Sequence, residues 1–204
     1  MNKAIKNIIF DLGGVLLDLD FSRTWKSLET AGGKITSELL PPFKEDSIFR
    51  SQELGKIDND TFYKGIRELT QSSLSDKEID AIWNAMLLHF PAEKLNLLLK
   101  LKDQYRIFLL SNTNDIHWKY VIHHFLEPKA IKAEDVFEGI YLSHEMHLSK
   151  PDPAIFQEVL KKEHLIPQET LFIDDSEANC LSAEQLGIHT HHYLVTEPLK
   201  DIFE

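Results

Sequence analysis

Cysteine is almost missing from this 204-residue chain: Cys180 stands alone, so no internal disulfide can form. That fits a reducing compartment. Positive charge is short as well. Lysine and arginine number 22 against 33 aspartates and glutamates, a net charge of −11. Such a balance argues against nucleic acid or an anionic membrane as the main partner. It does not argue against a phosphorylated substrate held in a locally positive pocket. No apolar run approaches the length of a membrane span. Lys3 and Lys6 ahead of Ile8-Ile9-Phe10 give a faint echo of a signal peptide, but Asp11 interrupts the run and no small-residue cleavage site follows. A cytoplasmic protein is expected. Internal repeats and low-complexity segments are absent too.

What is present starts with Ile8 to Leu16, an apolar run that stops at Asp11, passes Gly13-Gly14 and turns apolar again. Short apolar runs bounded by turn residues read as buried strands. A parallel strand covered on both faces has this texture, and open α/β sheets bind ligands beyond the carboxyl ends of such strands. After Leu19 the texture changes. Trp25, Leu28 and Ala31 recur at helical spacing and stop at Gly32-Gly33. Asp58 or Asn59 can cap a helix carrying Phe62, Ile66 and Leu69, and Ser75 with Glu78 has capping-box spacing. Pro91 is expected to open a helix through Leu95, Leu98 and Leu99. Strand texture resumes at Arg106–Leu110, weakly at Gly139–Leu142, then at Thr170–Ile173 and His189–Leu194. Asp152 and Pro153 mark the start of a helix, and Gly187 the end of another. The chain therefore reads as a doubly wound parallel sheet, class α/β, with residues 1–19 and 91–204 as the core domain. Residues 20–90 read as an all-helical insertion.

Three runs end in reactive polar groups: Asp11, Ser111-Asn112 and Asp174-Asp175, with Lys150 just ahead of the helix that Asp152 caps. A carboxylate can attack phosphorus and form an acyl phosphate, provided that negative charge is neutralised first. Mg²⁺ prefers hard oxygen ligands, and Asp11, Asp174 and Asp175 would supply them. Ser111, Lys150 and the backbone N–H groups of Leu12, Gly13 and Asn112 would hold phosphoryl oxygens. His189, His191 and His192 suggest a metal cluster, but strand alternation puts His192 on the other face. His117, six residues past Ser111, could reach the mouth of a pocket, but a solvated helix histidine is the expectation; Cys180 is expected to be a small buried residue.

Four pieces carry a resemblance: Phe10 to Leu16, Leu110 to Asn114, Ser149 to Pro153, and Phe172 to Asp175. In this order they resemble the haloacid-dehalogenase-like superfamily over nearly the whole chain. The insertion matches the position of the family's cap, and Asp-Leu-Gly resembles the spelling in bacterial sugar-phosphate phosphatases. The resemblance implies a Rossmannoid core, with Asp11 as nucleophile and magnesium ligand and the Gly13 carbonyl as second ligand. Asp175 would be a direct ligand and Asp174 would hold a metal-bound water. Ser111 and Lys150 would bind the phosphoryl group. The implied activity is Mg²⁺-dependent hydrolysis of a small phosphorylated metabolite, such as a sugar phosphate, through an aspartyl-phosphate. One departure is Gly13, where phosphatases of the family usually carry a second aspartate as general acid and base, a group worth typically ~10²–10⁴ in rate. Its absence favours leaving groups that need little protonation. The rivals are a dehalogenase that uses Asp11 without metal and a phosphate-binding regulatory protein with little turnover.

Overall fold

The computed structural model describes residues 4–35, 39 and 47–203; Lys3 lies outside them. The fold is built around β1 (Asn7–Phe10), every residue of which is buried. Its side chains alternate between two covered faces, as strand geometry requires. Ile8 and Phe10 join one core with Ile107, Leu109 and Ile173, while Ile9 joins another with Phe108, Leu110 and Phe172. A strand with two buried faces has no polar alternation, which is why the sequence reads as an unbroken apolar run.

Entering from β1, the chain makes β2 (Asp18–Leu19), α1 (Phe21–Thr30), α2 (Ile48–Glu53), α3 (Asn59–Thr70), α4 (Asp76–Asn84) and β3 (Leu87–His89). It continues through α5 (Ala92–Leu101), β4 (Arg106–Ser111), α6 (Asp115–Val121), α7 (Ala133–Val136) and β5 (Gly139–Leu142). The last elements are α8 (Ser143–Met146), α9 (Pro153–Lys162), β6 (Thr170–Asp174), α10 (Glu177–Glu184) and β7 (His189–His192). Five strands form one sheet in the order β5-β4-β1-β6-β7, and all four pairings are parallel. Helices α5 and α6 cover the Ile8 face, and α9 and α10 cover the Ile9 face. The α/β class read from the sequence is the class found. Phe10 pairs with both Leu109 and Ile173, so β1, β4 and β6 end level. That level edge brings Asp11, Ser111 and Asp174 side by side.

The insertion is not all-helical. β2 and β3 pair antiparallel where the chain enters and leaves it. Two and three residues long, they have no period to read, and they exist because the two crossing segments must run together. The helices start where side chains satisfy their free N–H groups: Asp20, Ser47, Asp58 and Ser75 each accept from the first turn, and Ser75 and Glu78 complete a capping box. Pro91 sits at the N-cap of α5, one position earlier than expected. Aromatic edges hold the helices together, with Phe49 5.9 Å from Phe62 and 4.9 Å from Trp83. No helix among the described residues is long and apolar enough to cross a membrane.

On the Ile9 face, Phe156 is fully buried and meets Phe172 edge-on at 5.1 Å. Phe156→Ala is expected to lower the unfolding free energy by roughly 3–5 kcal/mol. Urea denaturation would measure it, and a loss below about 1 kcal/mol would contradict this account of α9 packing.

Candidate active site

Lys150 is the hub of the sheet edge. Its ammonium, 2% exposed, donates to Asp11 Oδ1 at 2.7 Å, Asp174 Oδ2 at 2.6 Å and the Leu110 carbonyl at 2.8 Å. All three of its protons are thereby used. Asn112 fixes the backbone behind it: its amide donates to the Lys150 carbonyl at 2.8 Å and its oxygen accepts the Lys150 N–H at 2.9 Å. Burial alone would depress the Lys150 pKa, but the charges of Asp11 and Asp174 outweigh it and hold the ammonium above its ordinary value.

The carboxylates around it are under the opposite stress. Burial is the largest influence on Asp11 and pushes its carboxyl up to about 7, against the pull of Lys150. Asp175 is raised too, by burial and then by the charge of Asp174. One oxygen from each of Asp11, Asp174 and Asp175 lies within 4.8 Å of the other two, an arrangement able to hold a metal ion. Three carboxylates share a single ammonium, so a divalent cation suits the surplus of negative charge. Asp174 is fully engaged, its Oδ1 accepting from the Ser176 N–H at 2.8 Å and from Asn179 Nδ2 at 2.9 Å. Asp175 is the exposed member. Its Oδ2 would stand 2.2 Å from a β-carbon placed on Gly14, whose φ of +79° already favours glycine. Gly14 thus lets the β1 loop and the acidic pair approach each other.

Beside this array lies a cavity of about 100 Å³ bordered by Leu12, Gly13, Ser111 and Asn112 on the sheet side. Its other wall comes from Leu19 at the end of the core segment and from the insertion: Phe21, Phe49, Glu53, Trp83 and Met86. The Ser111 hydroxyl makes no hydrogen bond among the described residues. Each residue picked from the sequence for the chemistry therefore sits at this edge.

The arrangement agrees with the family comparison. A family described as "Hydrolase: haloacid dehalogenase-like hydrolase" matches residues 5–187. The chain belongs to the haloacid dehalogenase-like hydrolases. Over 186 residues it is 32% identical to D-ribitol-5-phosphate phosphatase of Bacteroides thetaiotaomicron, covering 91% of this chain and 90% of that protein. A haloacid dehalogenase family enzyme of the same bacterium, crystallised with magnesium and inorganic phosphate, superposes with a TM-score of 0.92 at 45% identity. That match covers 98% of this chain and all of the other. A hydrolase of the same type from Porphyromonas gingivalis gives 0.89 at 30% identity, covering 98% and 96%.

Other residues of this hydrolase stand differently from their sequence reading. His117 is buried, not solvated, and borders the cavity. Asn114 Oδ1 accepts the His117 N–H at 3.0 Å, so the Asn114 amide nitrogen faces Nδ1 at 3.2 Å. That leaves Nε2 to carry the proton and donate to the Trp83 carbonyl at 3.1 Å. Burial depresses this imidazole to about 4. The misreading came from taking α6 as a surface helix, when α4 of the insertion packs on it. Asp20 caps α1, and Asp18 pairs with Lys94 and His89, so neither faces the acidic cluster. The histidines of β7 do not gather around a metal site: His191 pairs with Glu197, and His192 Nε2 donates to the Asp175 carbonyl. Cys180 is buried, as read. Asn179 was not picked out as a site residue, and Glu53 was read only as lying, with Gly55 and Asp58, in a segment resembling the family's cap loop, with no contact assigned. Asn179 had one usable signal, a position five residues after Asp174 that puts an amide in the first turn of α10.

The Asp11 carboxyl binds a proton between about pH 4 and 7 in the folded state that the unfolded chain has already released, so its burial costs more as pH rises through that window. With a chelator present, Asp11→Asn should be the more stable protein at pH 8, by on the order of 1–3 kcal/mol, and the gap should close toward pH 4. Urea melts across pH would test this. A native protein equal to or more stable than the variant at pH 8 contradicts it.

Proposed function

We propose that this hydrolase is a Mg²⁺-dependent phosphatase of small phosphorylated metabolites, with Asp11 as the nucleophile. The observation that carries the reading is the buried ammonium of Lys150 between Asp11 and Asp174, with Asp175 beside them. The donor set fits magnesium, with Asp11, Asp175 and the Gly13 carbonyl as direct ligands and Asp174 as holder of a bound water. Bound there, magnesium would screen the charge of the phosphoryl group from the attacking carboxylate.

An Asp11 oxygen bonds to phosphorus while the bond to the ester oxygen breaks, leaving an acyl phosphate on Asp11 and an alkoxide that takes up a proton. Lys150 holds Asp11 in line and its charge stabilises the phosphoryl group, to which it can donate only by giving up the Leu110 carbonyl or a carboxylate. Ser111 and the N–H groups of Leu12, Gly13 and Asn112 receive the equatorial oxygens. Water then attacks phosphorus, releasing inorganic phosphate and restoring the carboxylate. Residues 20–90 act as a cap on the core formed by 1–19 and 91–204. Beyond the β2–β3 ladder and the Asp18–His89 pair at its entrance, three hydrogen bonds among the described residues hold it down: Trp83 to His117, Asn59 to Asp115 at 2.8 Å, and the Leu54 carbonyl to His147 at 2.9 Å. Closure over the cavity excludes bulk water.

The relative's named substrate supports a sugar or polyol phosphate. D-ribitol 5-phosphate is the ester of a primary alcohol, a leaving group that needs a proton. That stands against the expectation that Gly13 restricts the enzyme to easily departing groups. Gly13→Asp decides between the two, although its β-carbon would stand 2.8 Å from Leu19 Cδ1 and must displace that side chain. A rate gain confined to alkyl phosphates supports the restriction, and equal rates remove it.

Phosphate release from a panel of sugar and polyol phosphates should require magnesium, stop with a chelator, and fall at least about 10³-fold in Asp11→Asn. Release that persists in Asp11→Asn would defeat the assignment of the nucleophile.

A further inference from the structure

Glu53 is a buried carboxylate that the reaction as described does not use. It ends α2, is 8% exposed, and borders the cavity opposite Gly13 and Ser111. Arg50, one turn earlier, donates to its Oε1. Its Oε2 bonds nothing among the described residues and keeps some exposure, so it is open to a ligand in the cavity. The end of α2 is also pinned. The Leu54 carbonyl accepts from His147, and Gly55, at φ +61°, lies so close to the His144 carbonyl that a β-carbon would stand 2.0 Å from it. Glu53 is therefore held over the site. On the core side of the cavity Asn112 is tied to the Lys150 backbone, and Asn114 and His117 bond to each other and to the backbone, Ser111 and Thr113 being the other polar side chains there. The remaining cap wall is apolar.

We infer that Glu53 is a specificity-determining residue: its free oxygen accepts a hydroxyl of the leaving group and repels substrates with a second anion there. This rests on the phosphatase reading and narrows it to neutral, hydroxylated leaving groups. Burial raises the Glu53 pKa against the charge and hydrogen bond of Arg50 and the charge of Lys150, which fits a carboxylate with one oxygen paired and the other facing the cavity.

The test needs three esters of the same carbon skeleton: glycerol phosphate, propyl phosphate and phosphoglycerate, with para-nitrophenyl phosphate as reference. The native enzyme should rank them in that order by kcat/KM. In Glu53→Gln the preference for glycerol phosphate over phosphoglycerate should shrink roughly ten- to hundredfold, the range expected for losing a hydrogen bond to a charged group. A native enzyme that takes phosphoglycerate as well as glycerol phosphate overturns the inference, and so does a Glu53→Gln ratio within about threefold of native. The native ranking stands as a test even if the variant fails to fold. No phosphate release from any of the four esters sinks the phosphatase reading and this inference with it. Release without the ranking sinks the inference alone.

Discussion

A lysine ammonium sealed between two carboxylates governs this molecule. Lys150 has almost no contact with solvent, and its bonds reach the loop after β1, the end of β4 and the end of β6. Removing Lys150 from such a buried set would typically cost about 3–5 kcal/mol, because two carboxylates would be left without their cation. The three strand ends must therefore stay level, and the parallel register that brings Phe10 beside Leu109 and Ile173 keeps them so. Asn112 adds a fourth tie by holding the Lys150 backbone from the end of β4. Sheet geometry and site geometry are one constraint seen at two scales.

The same array is deliberately incomplete. Three carboxylates face one ammonium, so Asp11 and Asp175 sit at raised pKa. Hydrophobic burial elsewhere in the two cores offsets that cost. A structure meant only to be stable would replace the surplus charge. Keeping it makes sense where a divalent cation and an anionic phosphoryl group are to be received together. Gly14 belongs to this arrangement, because its lack of a side chain lets the surplus carboxylate of Asp175 come within reach.

How much could be read in advance follows from where the information lies. Strands β1, β4 and β6 announce themselves because burial on both faces makes them continuous apolar runs, each closing on a polar residue. Asp11, Ser111, Lys150 and Asp174-Asp175 were legible because each sits at a strand end or a helix start, where local sequence sets position. The β2–β3 pairing was not, since three residues carry no period and their meeting depends on an insertion some seventy residues long. His117 and Glu53 failed for a related reason. Both lie on short helices whose burial is decided by the partner element, α4 over α6 and α8 under the end of α2, and no local pattern reports a distant partner.

That distant packing bears on turnover. If residues 20–90 are the cap, the β2–β3 ladder with Asp18–His89 is its hinge. The joints away from that hinge include, among the described residues, three hydrogen bonds: Trp83 to His117, Asn59 to Asp115, and Leu54 to His147. Each contributes about 0.5–1.5 kcal/mol net, so undoing all three costs a few kcal/mol. That is small enough for opening on the microsecond-to-millisecond scale that lids use. The His117 joint donates from Nε2, which carries its proton whether the ring is neutral or charged, and a pKa near 4 keeps the ring neutral at any pH where the enzyme would work. The closing force is then insensitive to physiological pH. The cavity wall that the cap brings down is mostly apolar, which favours closure over a substrate with carbon to bury. Glu53 is the exception in that wall, a charged oxygen without a partner, and closure over a ligand that offers it no donor is penalised. If the cap closes as proposed, selectivity would be exercised at the closing step, before Asp11 meets phosphorus.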